Sequence, residues 1–373
     1  MTNKCSRRNF VTNAAMAGLF ATGVTKAANC DEGKTNLSSR FLYPSTATQS
    51  LLDLLKVRIP IIQAPAGGVV SSAMTAAVSN SGGLGGIPLG WSSPEGAAES
   101  IAAVRLKTDK PFFANFVLHF GAPALPAALE NGTRIIQFSW GMPDAAMISA
   151  IRSVDAVLGI QVTSKANAEA ALALGADYLV CQGMEAGGHV HGSRPLAQAL
   201  DEVLAVANEV PVVASGGIST GHKMREYIAL GAAGVVMGSR FVASKESAAH
   251  EQYKEALVRA KAADTVFTTC MSKGWENATH RILRNSTFEM WESAGCPAPG
   301  DRPGETDLIA TYANNPKQSV ERYSINSPGS YYSGDLEAMA AYAGMGVDDI
   351  TDVPAISEIV SRVWEEFLSG VER

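Results

Sequence analysis

Eight times between Ile59 and Gly238, a short apolar run rich in β-branched residues gives way to an alanine-rich stretch of helical period. The runs are Ile59–Ala64, Leu84–Ile87, Phe112–Val117, Arg134–Ser139, Ala156–Val162, Asp177–Gln182, Val210–Ser215 and Gly234–Gly238. Strands that are apolar on both faces need cover on both faces, which a parallel sheet flanked by helices supplies. The intervening periodicity predicts helices over Ser72–Ser81, Pro94–Leu106, Pro143–Ser153, Lys165–Leu174, Leu196–Asn208, Gly221–Leu230 and Glu246–Ala262, with a shorter one at Pro123–Glu130. Glycines close several of them, as in Leu174-Gly175 and Leu230-Gly231. Eight such units predict an α/β fold of the (β/α)8 type, a TIM barrel. A doubly wound sheet is the competing architecture. It is disfavoured because no strand runs into G-x-G-x-x-G with an acidic residue about 20 positions on.

On this reading the barrel occupies residues 51–262, and the pattern breaks beyond it. Residues 263–373 are expected to form a C-terminal lid or cover, with Leu336–Ala343 and Ala355–Phe367 as closing helices. Residues 29–50, rich in Ser, Thr and Asn without period, read as a linker. Residues 1–28 combine Ser6-Arg7-Arg8-Asn9-Phe10, an apolar stretch Ala14–Val24 and the small exit residues Ala27 and Ala28. They resemble a twin-arginine export signal, so the expected location is periplasmic or otherwise extracytoplasmic. The apolar stretch is shorter than the roughly 20 residues a bilayer span requires, so no stable membrane span is expected.

Net charge is −6, and −10 without the first 28 residues, which hold Lys4, Arg7, Arg8 and Lys26 but no acid. With no basic cluster in the remainder, nucleic acid is excluded as a partner. Five cysteines carry no C-x-x-C or Cys/His ligand spacing, so no metal site is expected, and Cys181 reads as core.

In a barrel of this type, function gathers at the carboxyl ends of the strands. Here those ends read Gln63-Ala64-Pro65-Ala66-Gly67-Gly68, Asn115, Ser139-Trp140-Gly141, Gln161, Gln182-Gly183, Ser215-Gly216-Gly217 and Met237-Gly238-Ser239. They offer amides and bare backbone without a carboxylate pair. That argues against glycoside hydrolysis and against Mg²⁺ or Ca²⁺ chemistry. A flat polar ligand with a phosphate tail suits them, since glycines after strands seven and eight are where such barrels hold phosphate. The densest segment is Gln182-Gly183-Met184-Glu185-Ala186-Gly187-Gly188-His189-Val190-His191-Gly192. Two glycines before His189 let backbone approach a ligand and let the imidazole point into the mouth, where it would serve as a base. His191 reads as a neighbour, and Glu185 as a helix-start or loop partner.

At these residues the chain resembles the nitronate monooxygenase family, flavin-dependent TIM-barrel enzymes. The matching pieces are IIQAPAGGV, AAVSNSGGLGG, FFANF, QGMEAGGHVHG, VVASGGIS, GAAGVVMGSRF, ESAAHEQY and the closing PAISEIVSRVWEEF. The resemblance implies FMN held by Asn115, Gln182, Gly187, Gly217 and the turn Val236, Met237, Gly238 and Ser239, with Ala64, Pro65 and Ala66 against the flavin ring. It implies His189 as catalytic base. Two positions depart from the family pattern: Ala66 stands where a methionine is usual, and Val190-His191 lengthens the spacing after His189. The implied activity is oxidation of a small alkyl nitronate or nitroalkane with O₂, giving a carbonyl compound and nitrite. An NAD(P)H-dependent flavin reductase of the enoyl-acyl-carrier-protein or quinone type, and an exported flavin-binding protein without turnover, are the alternatives. A homodimer is compatible with the barrel.

Overall fold

Ring-bearing residues decide how the barrel fills, because its strands leave room for them. Eight parallel strands form one sheet: β1 (Ile61–Gln63), β2 (Gly85–Pro88), β3 (Phe112–Val117), β4 (Ile135–Ser139), β5 (Val157–Val162), β6 (Tyr178–Gln182), β7 (Val212–Ser215) and β8 (Gly234–Met237). In this computed structural model the residues described are 43–371. β2 to β7 pair in chain order, β7 pairs with β8 and β8 with β1. The seam between β1 and β2 is closed by Gln63 N–H donating to Leu84 O and Leu84 N–H to Ile61 O, both at 2.9 Å.

Two cores result. Inside the ring, Ile62, Leu84, Phe113, Ile135, Tyr178, Val180, Val213 and Val236 pack together. A Cβ at Gly86 would lie 2.2 Å from the Phe113 ring, and one at Gly159 2.2 Å from the Tyr178 ring. Those two glycines are therefore required by the neighbouring rings, at some cost in strand propensity. Outside, the alternate strand residues (Ile61, Ile136, Ile160, Cys181, Met237) meet the helices. Burial among these apolar side chains pushes the Cys181 thiol up to about 12.

The helices follow the expected boundaries closely: Ser72–Asn80, Pro94–Arg105, Ala145–Arg152, Lys165–Ala173, Leu196–Ala207 and Gly221–Ala229. Ser71, Ser93, Asp144, Ser164 and Thr220 cap five of them by accepting a hydrogen bond from a first-turn N–H.

Three expectations are corrected. Residues 46–50, assigned by composition to the linker, begin a helix, Thr46–Leu55, capped by Ser45. Its Leu51 and Leu55 close the interior core from the strands' amino ends. The helix expected over Glu246–Ala262 is only Glu251–Arg259. The residues before it are tied elsewhere: Ala248 N–H donates to Val69 O, and Ala249 bridges Gly329. Leu336–Ala343 is not a helix. Part of its backbone is spent on long-range partners, Leu283 N–H to Ala341 O and Ala343 N–H to Arg281 O, and it is apolar because most of it is buried as an irregular segment of turns.

The cover expected beyond Ala263 is real and largely built of strands. Thr265–Thr268 and His280–Leu283 form a three-stranded antiparallel sheet with the two-residue strand Gly188–His189. A second sheet joins Leu308–Tyr312 to Asn315–Glu321 and Tyr332–Gly334. The chain ends in the helix Ile356–Leu368, which packs on Gly221–Ala229 so tightly that a Cβ at Gly221 would lie 2.2 Å from Val363 O. Glu366 accepts from Gly221 N–H at 2.8 Å, and Arg225 reaches the carbonyls of Glu366 and Phe367. Among the described residues no helix is long and apolar enough to cross a membrane, and no cluster of His, Cys, Asp or Glu is placed to hold a metal.

Candidate active site

A cavity of about 410 Å³ opens at the carboxyl ends of the strands, between the barrel and its cover. Of the residues singled out from the sequence, Ala64, Pro65, Ala66, Asn115, Gln182, Gly187, His189, Gly217, Val236, Gly238 and Ser239 all line it. Met237 does not. Side chains alternate along a strand, so Val236 faces the interior while Met237 is buried among the outer helices. Met237 contributes only its carbonyl, which accepts from Ala64 N–H.

The floor is a chain of amides. Tyr178 OH donates to Gln137 Oε1 at 3.2 Å, Gln137 Nε2 to Asn115 Oδ1 at 3.1 Å, and Asn115 Nδ2 to Ser139 Oγ at 3.3 Å. Gln182 has a different task. Its Nε2 donates to His189 O and its Oε1 accepts from His191 N–H, so the amide braces the loop that carries His189. Glu185 caps the helix Leu196–Ala207 by accepting from Leu196 N–H, the structural role expected of it. On one side of the mouth, Ser215-Gly216-Gly217 and Gly238-Ser239 present backbone with no side chain beyond the two serines. Gly217 sits at φ +66°, where a Cβ would be strained and 3.2 Å from Glu185 Cβ. That wall fits a phosphate tail brought close to bare backbone.

His189 is held on all sides by rings and strand pairing. Its backbone pairs with His280, its imidazole stacks on Trp275 at 4.3 Å, and Tyr342 and His280 lie 5.3 and 5.5 Å away. Nε2 is buried without a hydrogen-bond partner. Burial foremost, then the nearby His280 and His119, pull its pKa down to about 3, so the ring is neutral at pH 7. His280 is also neutral, pulled to about 4 by burial. Its Nε2 accepts from Met271 N–H while Nδ1 donates to Ala278 O, which fixes its tautomer. His191 is exposed and stacks on Trp140 at 4.8 Å.

Trp275, Tyr342 and His280 were not found from the sequence. They come from the cover, where no hydrophobic period marks a functional position, and the only available signal was the sequence Gly274-Trp275 in an otherwise polar stretch. Gln137 was missed for another reason: it lies in mid-strand, below the strand end where a site was sought.

Among the described residues, no Asp, Glu, Lys or Arg lines the cavity. An uncharged mouth of amides, rings and bare backbone suits a TIM-barrel enzyme whose chemistry comes from a bound cofactor. The nitronate monooxygenase family model matches residues 48–128 and 124–366. A nitronate monooxygenase of Pseudomonas aeruginosa is 34% identical over 366 residues, covering 86% of this chain and 99% of that protein. One of Paraburkholderia phytofirmans is 32% identical, covering 88% and 97%. Among solved structures, nitroalkane oxidase from Streptomyces ansochromogenes superposes with a TM-score of 0.71 at 26% identity, covering 86% of this chain and 98% of that one. FabK from Thermotoga maritima gives a TM-score of 0.68 at 27% identity, covering 86% and 96%. The chain belongs to the nitronate monooxygenase family and is a flavin-dependent oxidoreductase.

Proposed function

We propose that this enzyme oxidises small alkyl nitronates with O₂ at a bound FMN, yielding a carbonyl compound and nitrite. The observation that carries the reading is the neutral, ring-packed His189 on an uncharged cavity whose far wall is bare glycine backbone. The turns Ser215–Gly217 and Gly238–Ser239 would take the phosphate, Asn115 and Gly187 the ring edge, and Ala64, Pro65 and Ala66 one ring face. FMN supplies the redox chemistry when bound.

The chain's own residues bear on the proton. A neutral nitroalkane must surrender one to a base before oxidation. His189, with a pKa near 3, resists the positive charge that accepting it would create. A nitronate arrives already deprotonated and asks only to be oriented. The site therefore favours the nitronate, with the His189 ring as its hydrogen-bonding partner. Trp275 and Tyr342 exclude water from that ring.

Export by residues 1–28 and assembly as a homodimer belong to the same proposal; the signal lies outside the described residues. The test is the visible spectrum of the purified protein under anaerobic titration, first with NADH and then with ethyl nitronate. Bleaching by nitronate alone is expected. Bleaching by NADH alone would make the enzyme a flavin reductase, and bleaching by neither a non-catalytic flavoprotein.

A further inference from the structure

The mouth has two unlike halves. In an eight-stranded ring of this order, β7 lies across from β3 and β8 across from β4. The glycine turns that fit a phosphate therefore face the loops after β3 and β4. Those loops, with the one after β2 and the cover, build a continuous layer of rings. Trp91 lies 5.2 Å from Phe120, Phe120 5.0 Å from Trp275, and Trp275 4.6 Å from Trp140. His119 stacks on Trp275 at 5.1 Å. Trp91, Trp140 and Trp275 all line the cavity.

Trp275 is buried, but two features show that the outer part of this layer, Trp91 and Trp140, is not core. Trp91 is 52% exposed, and its indole rests on Gly67, where a Cβ would sit 3.1 Å from Cζ3. Trp140 is held at φ +57°, a backbone conformation that a bulky residue adopts only when its surroundings impose it. An open apolar ring surface at the rim of a ligand cavity is a binding surface. Indoles without a neighbouring charge recognise another flat π system by offset or edge-on packing. An ethyl or propyl group would be too short to cover these rings.

We propose that the aromatic half of the mouth extends the substrate range beyond small alkyl nitronates and favours a nitronate whose alkyl carbon carries an aryl ring, with Trp91 as the main specificity determinant. This rests on the nitronate reading above. The ring would lie against Trp91 and Trp140 while the nitronate group points toward His189.

The experiment compares the holoenzyme on phenylmethyl nitronate and ethyl nitronate, in the natural protein and in Trp91→Ala and Trp91→Phe. The expected result is a kcat/KM about two- to tenfold higher for the aryl substrate, the scale of one aromatic contact. That preference should be lost in Trp91→Ala and largely kept in Trp91→Phe. Equal kcat/KM for the two substrates, or a preference untouched by Trp91→Ala, overturns the proposal. If neither nitronate is oxidised, the nitronate reading fails, and calorimetric titration with phenylacetate and acetate decides the rest. Binding of phenylacetate about tenfold tighter than acetate, abolished by Trp91→Ala, keeps the aryl site. Equal or undetectable binding of the two removes it.

Discussion

Lowering the pH from 7 to 5 should unload stability through two buried imidazoles, and the amount can be worked out. In the unfolded chain His189 and His280 titrate near 6.5; in the folded protein they are held near 3 and 4. A folded pKa depressed in this way means that the unfolded chain binds protons the native protein refuses. The stabilisation is complete above about pH 6.5 and drains away as pH falls toward the folded values. Integrated from pH 7 to 5, each ring accounts for about 2 kcal/mol, and the pair for about 4 kcal/mol. His189→Asn removes one of the two, so its pH-dependent loss should be about 2 kcal/mol smaller than that of the natural protein. The assay is urea unfolding at half-unit pH steps, comparing slopes against pH rather than absolute stabilities, since the substitution also changes packing on Trp275. If both proteins lose the same free energy over that interval, His189 is not a buried neutral ring, and the argument for nitronate over nitroalkane falls with it.

Denaturation of the yellow protein should release FMN; release of FAD, or a colourless chain that FMN cannot reconstitute, would contradict the glycine wall as a phosphate site. Gly187→Ala places a Cβ 2.4 Å from Gly344 N and 2.6 Å from Ala343 C, both backbone atoms. It should cost about 2–3 kcal/mol in urea unfolding, and an unchanged midpoint would mean that the His189 loop is not locked to the cover. Changing Arg7 and Arg8 together to Lys should leave folded, flavin-loaded protein in the cytoplasm. Undiminished export of that variant, followed by cell fractionation, would refute the signal.

The barrel was legible because its strands obey a local rule. Phe112–Val117 is apolar but for Asn115, bounded by Pro111 and flanked by helical periods, and its ends fall where the sequence puts them. The same uniformity hid which residues face inward, so Val236 and Met237 looked alike although only Val236 reaches the cavity. The cover was illegible for the opposite reason. Gly188–His189 is a strand only because His280 and Arg281, some 90 positions on, supply its partners. Leu336–Ala343 has helix-like composition, but its backbone is claimed by Arg281 and Leu283. His189 was found by its glycines. Trp275, which fixes its ring, had no such mark.

The clasp between the closing helix and Gly221–Ala229 sets when this protein can finish folding. Gly221 N–H waits for the carboxylate of Glu366, 145 positions later, and Arg225 waits for carbonyls beside it. A chain still being synthesised has every barrel strand by residue 237 yet leaves the apolar face of one outer helix uncovered until residues 356–368 appear. Native closure therefore waits until residues 356–368 have been made. Removing residues 356–373 should leave a barrel that forms but exposes a helix-wide apolar stripe and associates through it.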